Sequence, residues 1–191
     1  MQDNTNIYLV FADLLDYPDA SWSAKTSVCA GHDSLTEFLL SVESLPLPDL
    51  QELYTRTFDL NPVCALEIGY HLFGENYKRG QFLANLRETE APFDLGQQHQ
   101  LPDYLPVLLR LLTKLEHDEL RSSLISECLV PALNKMLTSV KDTENPYRFL
   151  LDAVRTVLQT EVPAIPIDAA RPNLRANLPV LMNPILSAEI F

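Results

Sequence analysis

This chain predicts an all-α fold: a single-domain helical bundle of about eight helices over residues 1–162, followed by a proline-rich, apolar tail over residues 163–191. Three features lead there. Apolar residues recur at intervals of three and four rather than two, the spacing of a helix with one buried stripe. Five glycines beside fourteen prolines leave a many-stranded sheet short of turn residues. A length of 191 residues with 47% apolar side chains is enough for one core.

The elements follow in order. Ile7, Val10, Phe11, Leu14 and Leu15 stripe a first short helix, stopped at Tyr17 and Pro18. After a polar connection with Trp22 and Cys29, Asp33 or Ser34 is placed to cap a helix carrying Leu35, Phe38, Leu39 and Val42, which Pro46 and Pro48 end. Asp49 begins a third, with Leu50, Leu53, Tyr54, Thr57 and Phe58 on one face and Asn61-Pro62 at its end. The run Cys64 to Phe73 is short and apolar, and Gly74 is suited to end it with a positive φ. A helix from about Asn76 to Arg87 carries Tyr77, Phe82, Leu83 and Leu86, and residues 90–100 read as a loop. Pro102 sits where a helix takes a first-turn proline, ahead of Leu105, Leu108, Leu109, Leu112 and Leu115, the clearest amphipathic stripe in the chain. Asp118 caps a long segment through Val140 that Pro131 should kink or divide. Asn145 and Pro146 open a last helix striped by Tyr147, Leu150, Leu151, Val154 and Leu158. Five prolines, no glycine and many aliphatic residues then mark the tail, which is not composed like a solvated linker.

Charge narrows the function. The net charge is −12, and residues 1–60 hold ten carboxylates against Lys25 and Arg56, so two thirds of it lies in the first third of the chain. That balance argues against nucleic acid or an anionic membrane surface as partner. It serves either solubility or long-range attraction of a basic segment. Three scattered cysteines, Cys29, Cys64 and Cys128, fit a reducing cytoplasm better than a disulfide framework. The N-terminal stretch lacks the pattern of a signal peptide, and no run is long and apolar enough to span a membrane.

No dinucleotide, P-loop, nucleophile-elbow or zincin motif is present. Cys64 and His71, seven apart, would share a face if one helix ran through both, yet two ligands do not make a metal site. The cluster Glu116 to Glu119 reads as a solvated helix junction. No catalytic residue, metal or cofactor is expected.

At Tyr54 to Phe58 (YTRTF), His71 to Glu75 (HLFGE), Arg79-Gly80 and Leu101 to Pro106 (LPDYLP), the chain resembles the NarJ type of redox enzyme maturation chaperones, the delta-subunit, TorD-like family. Tyr17-Pro18 and Asn145-Pro146-Tyr147 extend the likeness over residues 6 to 160 or so. The resemblance implies an all-helical, cytoplasmic, non-enzymatic chaperone, monomer or dimer. Its partner would be the N-terminal segment of a molybdoenzyme catalytic subunit, often a twin-arginine signal or its relic. The foremost client is the respiratory nitrate reductase alpha subunit, ahead of an anaerobic dehydrogenase or a dimethyl sulfoxide or selenate reductase. Its task is to support molybdenum cofactor insertion before membrane docking, with cofactor biosynthesis proteins as further partners. The chain departs from the pattern at Tyr104, where relatives commonly have histidine after Pro-Asp, so a titratable imidazole is replaced by a phenol.

The peptide-binding set that follows is Tyr54, His71, Phe73, Glu75, Arg79, Asp103 and Tyr104. Phe73 and Tyr104 would serve as apolar anchors, and Glu75 and Asp103 would pair with peptide arginines. The same residues admit a structural reading, with Phe73 in the core, Asp103 capping the helix that Pro102 starts, and His71 and Arg79 partnered across Gly74. Two rival functions remain open: a small metal-dependent enzyme using Cys64, His71, Glu75 and Asp103, and a scaffold subunit of the mature complex.

Overall fold

The computed structural model describes residues 5–22, 32–97, 99–115, 118–140 and 144–162. Its helices are α1 (Thr5–Leu15), α2 (Asp33–Val42), α3 (Leu47–Tyr54), α4 (Ile68–Phe73), α5 (Tyr77–Glu90), α6 (Leu105–Leu112), α7 (Asp118–Ser123), α8 (Val130–Val140) and α9 (Tyr147–Glu161). No strand occurs among the described residues beyond one isolated antiparallel bridge, Glu67 to Tyr104. The all-α expectation therefore holds. Since α7 and α8 are one rod interrupted by a π-helical turn, the rods among the described residues number eight.

The rod α6 is buried on nearly every side: Leu105, Val107, Leu108, Leu109, Leu111 and Leu112 are all enclosed. It is thus a central helix rather than the one-sided amphipathic helix its leucine spacing predicts. Its start also differs from expectation. The turn at Pro102 precedes the helix, the first-turn proline is Pro106, and the helix ends at Leu112, short of Leu115. α1 packs along α6, and α9 packs on α2 and α8. Arg110 of α6 joins α1 through Asp13, at 2.9 Å, and Asp16.

Several boundaries were set by tertiary partners. α2 begins after His32 with no side-chain cap; Asp33 and Ser34 lie inside its first turn, and the Ser34 hydroxyl donates to Asp152 of α9 at 2.9 Å. α3 starts at Leu47, with Pro48 inside its first turn rather than ending the helix before it. Asn76 caps α5, accepting from the Lys78 amide, but Tyr77 is 80% exposed and not part of the buried stripe. Gly74 adopts φ +60°, ψ −137°, a conformation that a Cβ would obstruct, and ends α4. Pro131 does divide its rod: a π-helical turn, Leu124–Leu129, lies just before it. A proline has no amide hydrogen and its ring crowds the preceding turn, which widening relieves. Asn145 opens α9 by accepting from the Tyr147 amide at 3.0 Å.

The expectations about Cys29, Glu116, His117 and the tail 163–191, and the side chain of Asp118, lie outside the described residues. Among the described residues no helix is long and apolar enough to cross a membrane.

Candidate functional site

Two chain segments cross beneath α6. The Ile68 amide donates to the Asp103 carbonyl at 2.8 Å and the Leu105 amide to the Leu66 carbonyl at 2.9 Å, on either side of the Glu67–Tyr104 bridge. The Gly69 amide donates to Asp103 Oδ2 at 3.0 Å. Gly69 is required by this approach, since a Cβ there would stand 2.6 Å from that oxygen and 3.2 Å from Phe82. The crossing thus needs no side chain at Gly69 and a carboxylate at Asp103.

Above it opens a groove of about 670 Å3, lined by Tyr17, Tyr54, Phe58, Asp59, Pro62, Ala65, Leu66, Glu67, Tyr70, Arg79, Gln100, Leu101 and Tyr104. That is a volume suited to a few buried side chains of a ligand. A π-helical turn, Thr55–Asp59, continues α3 and aims Phe58 and Asp59 at it. Such turns recur at functional sites because they redirect side chains within a helix. Asn145 holds this one through a 2.7 Å hydrogen bond to the Thr57 hydroxyl.

The floor is a phenol pair. The Tyr54 hydroxyl donates to the Leu15 carbonyl at 3.0 Å and shares a 2.9 Å hydrogen bond with the Tyr104 hydroxyl, which itself lies 3.5 Å from the same carbonyl. Burial pushes both phenols up, Tyr104 to about 12. They are neutral at any physiological pH. Tyr17 meets Tyr54 edge-on at 5.4 Å, and Phe58 lies between Tyr54 and Tyr147 at 5.0 and 4.8 Å, so an aromatic stack runs from the groove into the core. The rim is apolar: Tyr17 and Leu101 are exposed, as are Leu60 and Val63 beside the lining residues Asp59 and Pro62.

Three of the seven expected binding residues, Tyr54, Arg79 and Tyr104, line the groove; four do not. Asp103 is fully buried, accepting from Gly69 and, at 3.4 Å, from Arg79, with Oδ1 unpartnered among the described residues. Burial raises its carboxyl above the usual range, against the pull of Arg79. It does not cap α6, which begins two residues later; it holds the first-turn amide of Gly69 in α4 instead, and it does not line the groove. His71 donates from Nε2 to the Ala65 carbonyl at 2.7 Å, and burial holds its imidazole below the usual histidine range. Phe73 is half-buried and tilts against Phe82 at 5.3 Å. Glu75 is exposed in the turn between α4 and α5.

Cys64 and His71 do not share a helix, because the backbone leaves helical geometry at Ala65 and Glu67 between them. Burial pushes the Cys64 thiol up to about 12. Among the described residues no three of His, Cys, Asp and Glu gather as ligands.

Tyr17, Phe58, Asp59, Glu67, Tyr70, Gln100 and Leu101 were not foreseen as site residues. One signal was available: Glu67 is the sole charged residue between Cys64 and Phe73.

The family model for the nitrate reductase delta subunit matches residues 23–141, a stretch that contains most of this groove. The chain belongs to that family. It is 29% identical over 154 residues to the probable nitrate reductase molybdenum cofactor assembly chaperone NarW of Escherichia coli (strain K12), covering 78% of this chain and 66% of that protein, just under two thirds of its length. It is 25% identical over 167 residues to the nitrate reductase molybdenum cofactor assembly chaperone NarJ of the same strain, with 81% and 70% covered. It is 26% identical over 157 residues to the probable NarJ of Bacillus subtilis (strain 168), with 76% and 84% covered. These relatives are named as assembly chaperones.

Proposed function

We propose that this delta-subunit protein is an assembly chaperone of a nitrate reductase, and that its groove takes the N-terminal segment of the catalytic subunit while the molybdenum cofactor is installed. The reading is carried by one observation: a groove with an aromatic floor opens through an exposed apolar rim in a chain whose relatives are named for this task. An amphipathic segment laid into it would bury its anchors at roughly 1.5–3 kcal/mol each, less the cost of ordering the segment. The chemistry belongs to the client. The chaperone contributes a surface that holds the segment away from premature docking and releases it intact. The buried free thiols of Cys64 and Cys128 agree with action in a reducing cytoplasm.

Calorimetric titration of the full chain with a synthetic N-terminal peptide of the catalytic subunit from the same source tests this. Saturable binding is expected, weakened about tenfold or more by Leu101→Asp or Tyr17→Asp, both exposed rim positions. No binding by the unaltered chain, or equal binding by the rim variants, would overturn it.

A further inference from the structure

The groove carries an unbalanced charge. Its lining includes one cation, Arg79, and two carboxylates, Asp59 and Glu67. Arg79 is already countered by buried Asp103, 3.4 Å from its guanidinium, and leans over the Tyr70 ring at 5.9 Å. The carboxylates of Asp59 and Glu67 make no hydrogen bond or ion pair among the described residues. Both stand on backbone that is held in place. Glu67 sits at the bridge to Tyr104, flanked by the hydrogen bonds of Leu66 and Ile68. Asp59 ends the π turn closed by the Leu60 amide on the Thr55 carbonyl at 2.9 Å and anchored by Asn145 through Thr57. Two carboxylates mounted this way need little further ordering to receive a cation.

We propose that Asp59 and Glu67 set the specificity of the groove by receiving an arginine that the bound segment carries on the same face as its apolar anchors. The inference rests on the groove being the client site. The walls favour guanidinium over ammonium. Tyr17, Tyr54, Tyr70 and Tyr104 supply ring surface on which a planar, weakly hydrated guanidinium stacks while it donates to a carboxylate, whereas a compact ammonium keeps its water. An acidic segment would meet both carboxylates within a chain of net charge −12 and be turned away. Asp103 then has a part in recognition without touching the ligand. By neutralising Arg79 it keeps the chain's own cation from cancelling Asp59 and Glu67.

The test is calorimetry on the full chain with the N-terminal catalytic-subunit peptide in three forms: native, with arginines replaced by the neutral isostere citrulline, and with arginines replaced by lysine. The native peptide should lose about threefold to tenfold in affinity on citrulline replacement, with the lysine form between them. Glu67→Gln and Asp59→Asn should weaken the native peptide comparably and leave the citrulline peptide unaffected. Added salt should shrink the difference. Glu43→Gln removes an acidic charge at the end of α2, outside the groove lining, and should change nothing, which separates local pairing from the general field. If the unaltered chain binds the native peptide and the Asp59→Asn/Glu67→Gln double variant binds it equally well, the charge assignment fails while the groove stands. The same holds if a native segment without arginine binds at full strength. If the unaltered chain binds no form, the groove reading fails and the arginine proposal with it.

Discussion

The rod α6 and the crossing beneath it are neighbours in sequence but are held by opposite kinds of force. α6 is enclosed by hydrocarbon, with Leu105, Leu108, Leu109 and Leu112 all buried among apolar residues. The crossing of 66–69 with 103–105 is held by directed hydrogen bonds to Leu66, Gly69 and Asp103, with a glycine where any Cβ would collide. Burial is non-directional and forgives a change of shape at constant volume. A hydrogen-bonded crossing forgives almost nothing, because a displaced donor is left unsatisfied inside the protein. The groove is built on the unforgiving part.

Single substitutions on each side of this contrast should break or sharpen it. Gly69→Ala adds one methyl group at the crossing and should cost about 2–3 kcal/mol in urea unfolding, since Asp103 has to retreat from the Gly69 amide it accepts from. Tyr104→Phe should cost about 1 kcal/mol in the same measurement: the Tyr54 hydroxyl keeps the Leu15 carbonyl and loses one partner. Leu108→Met, a change of similar atom count deep in α6, should cost less than about 1 kcal/mol. A loss at Leu108 larger than at Gly69 would erase the distinction between the two regions.

The smallest effect concerns pH. Burial holds the His71 imidazole below the usual histidine range in the folded chain, while the unfolded chain protonates in that ordinary range. As pH falls below that range the unfolded state takes up the proton first, so stability declines. His71→Gln keeps a donor for the Ala65 carbonyl and should lack this part of the decline. Parallel urea unfolding of the two proteins at neutral and mildly acidic pH reads the difference; identical slopes would show that His71 titrates in the folded chain as it does in the unfolded one.

The candidate site was only partly legible in the sequence, and the pattern of hits has a cause. The motifs HLFGE and LPDYLP mark residues that hold backbone near the crossing more than residues that line the groove. Asp103 and His71 spend their polar atoms on backbone groups of Gly69 and Ala65. Glu75 lies outside the groove, and Phe73 packs on Phe82. Tyr54 and Tyr104 were found because they combine a motif position with a buried aromatic face. Tyr17 and Leu101 come from two separate connections and Asp59 from the end of the π turn that continues α3, and nothing in the spacing along the chain tells which of these segments meet.

Helix content, the order of the rods, the interruption before Pro131, the turn at Gly74 and the opening of α9 at Asn145 were all determined by the sequence itself. Each depends on residues within one or two turns of one another, through side-chain periodicity, a missing amide hydrogen, a positive φ or a local cap. Tertiary structure alone decided that α6 is enclosed on nearly every side, that Ser34 reaches Asp152 rather than capping its own helix, and which side chains wall the groove. Those outcomes depend on groups far apart in the chain. Their meeting is selected by the packing of whole helices and by the two backbone hydrogen bonds that pin residues 66–68 to residues 103–105.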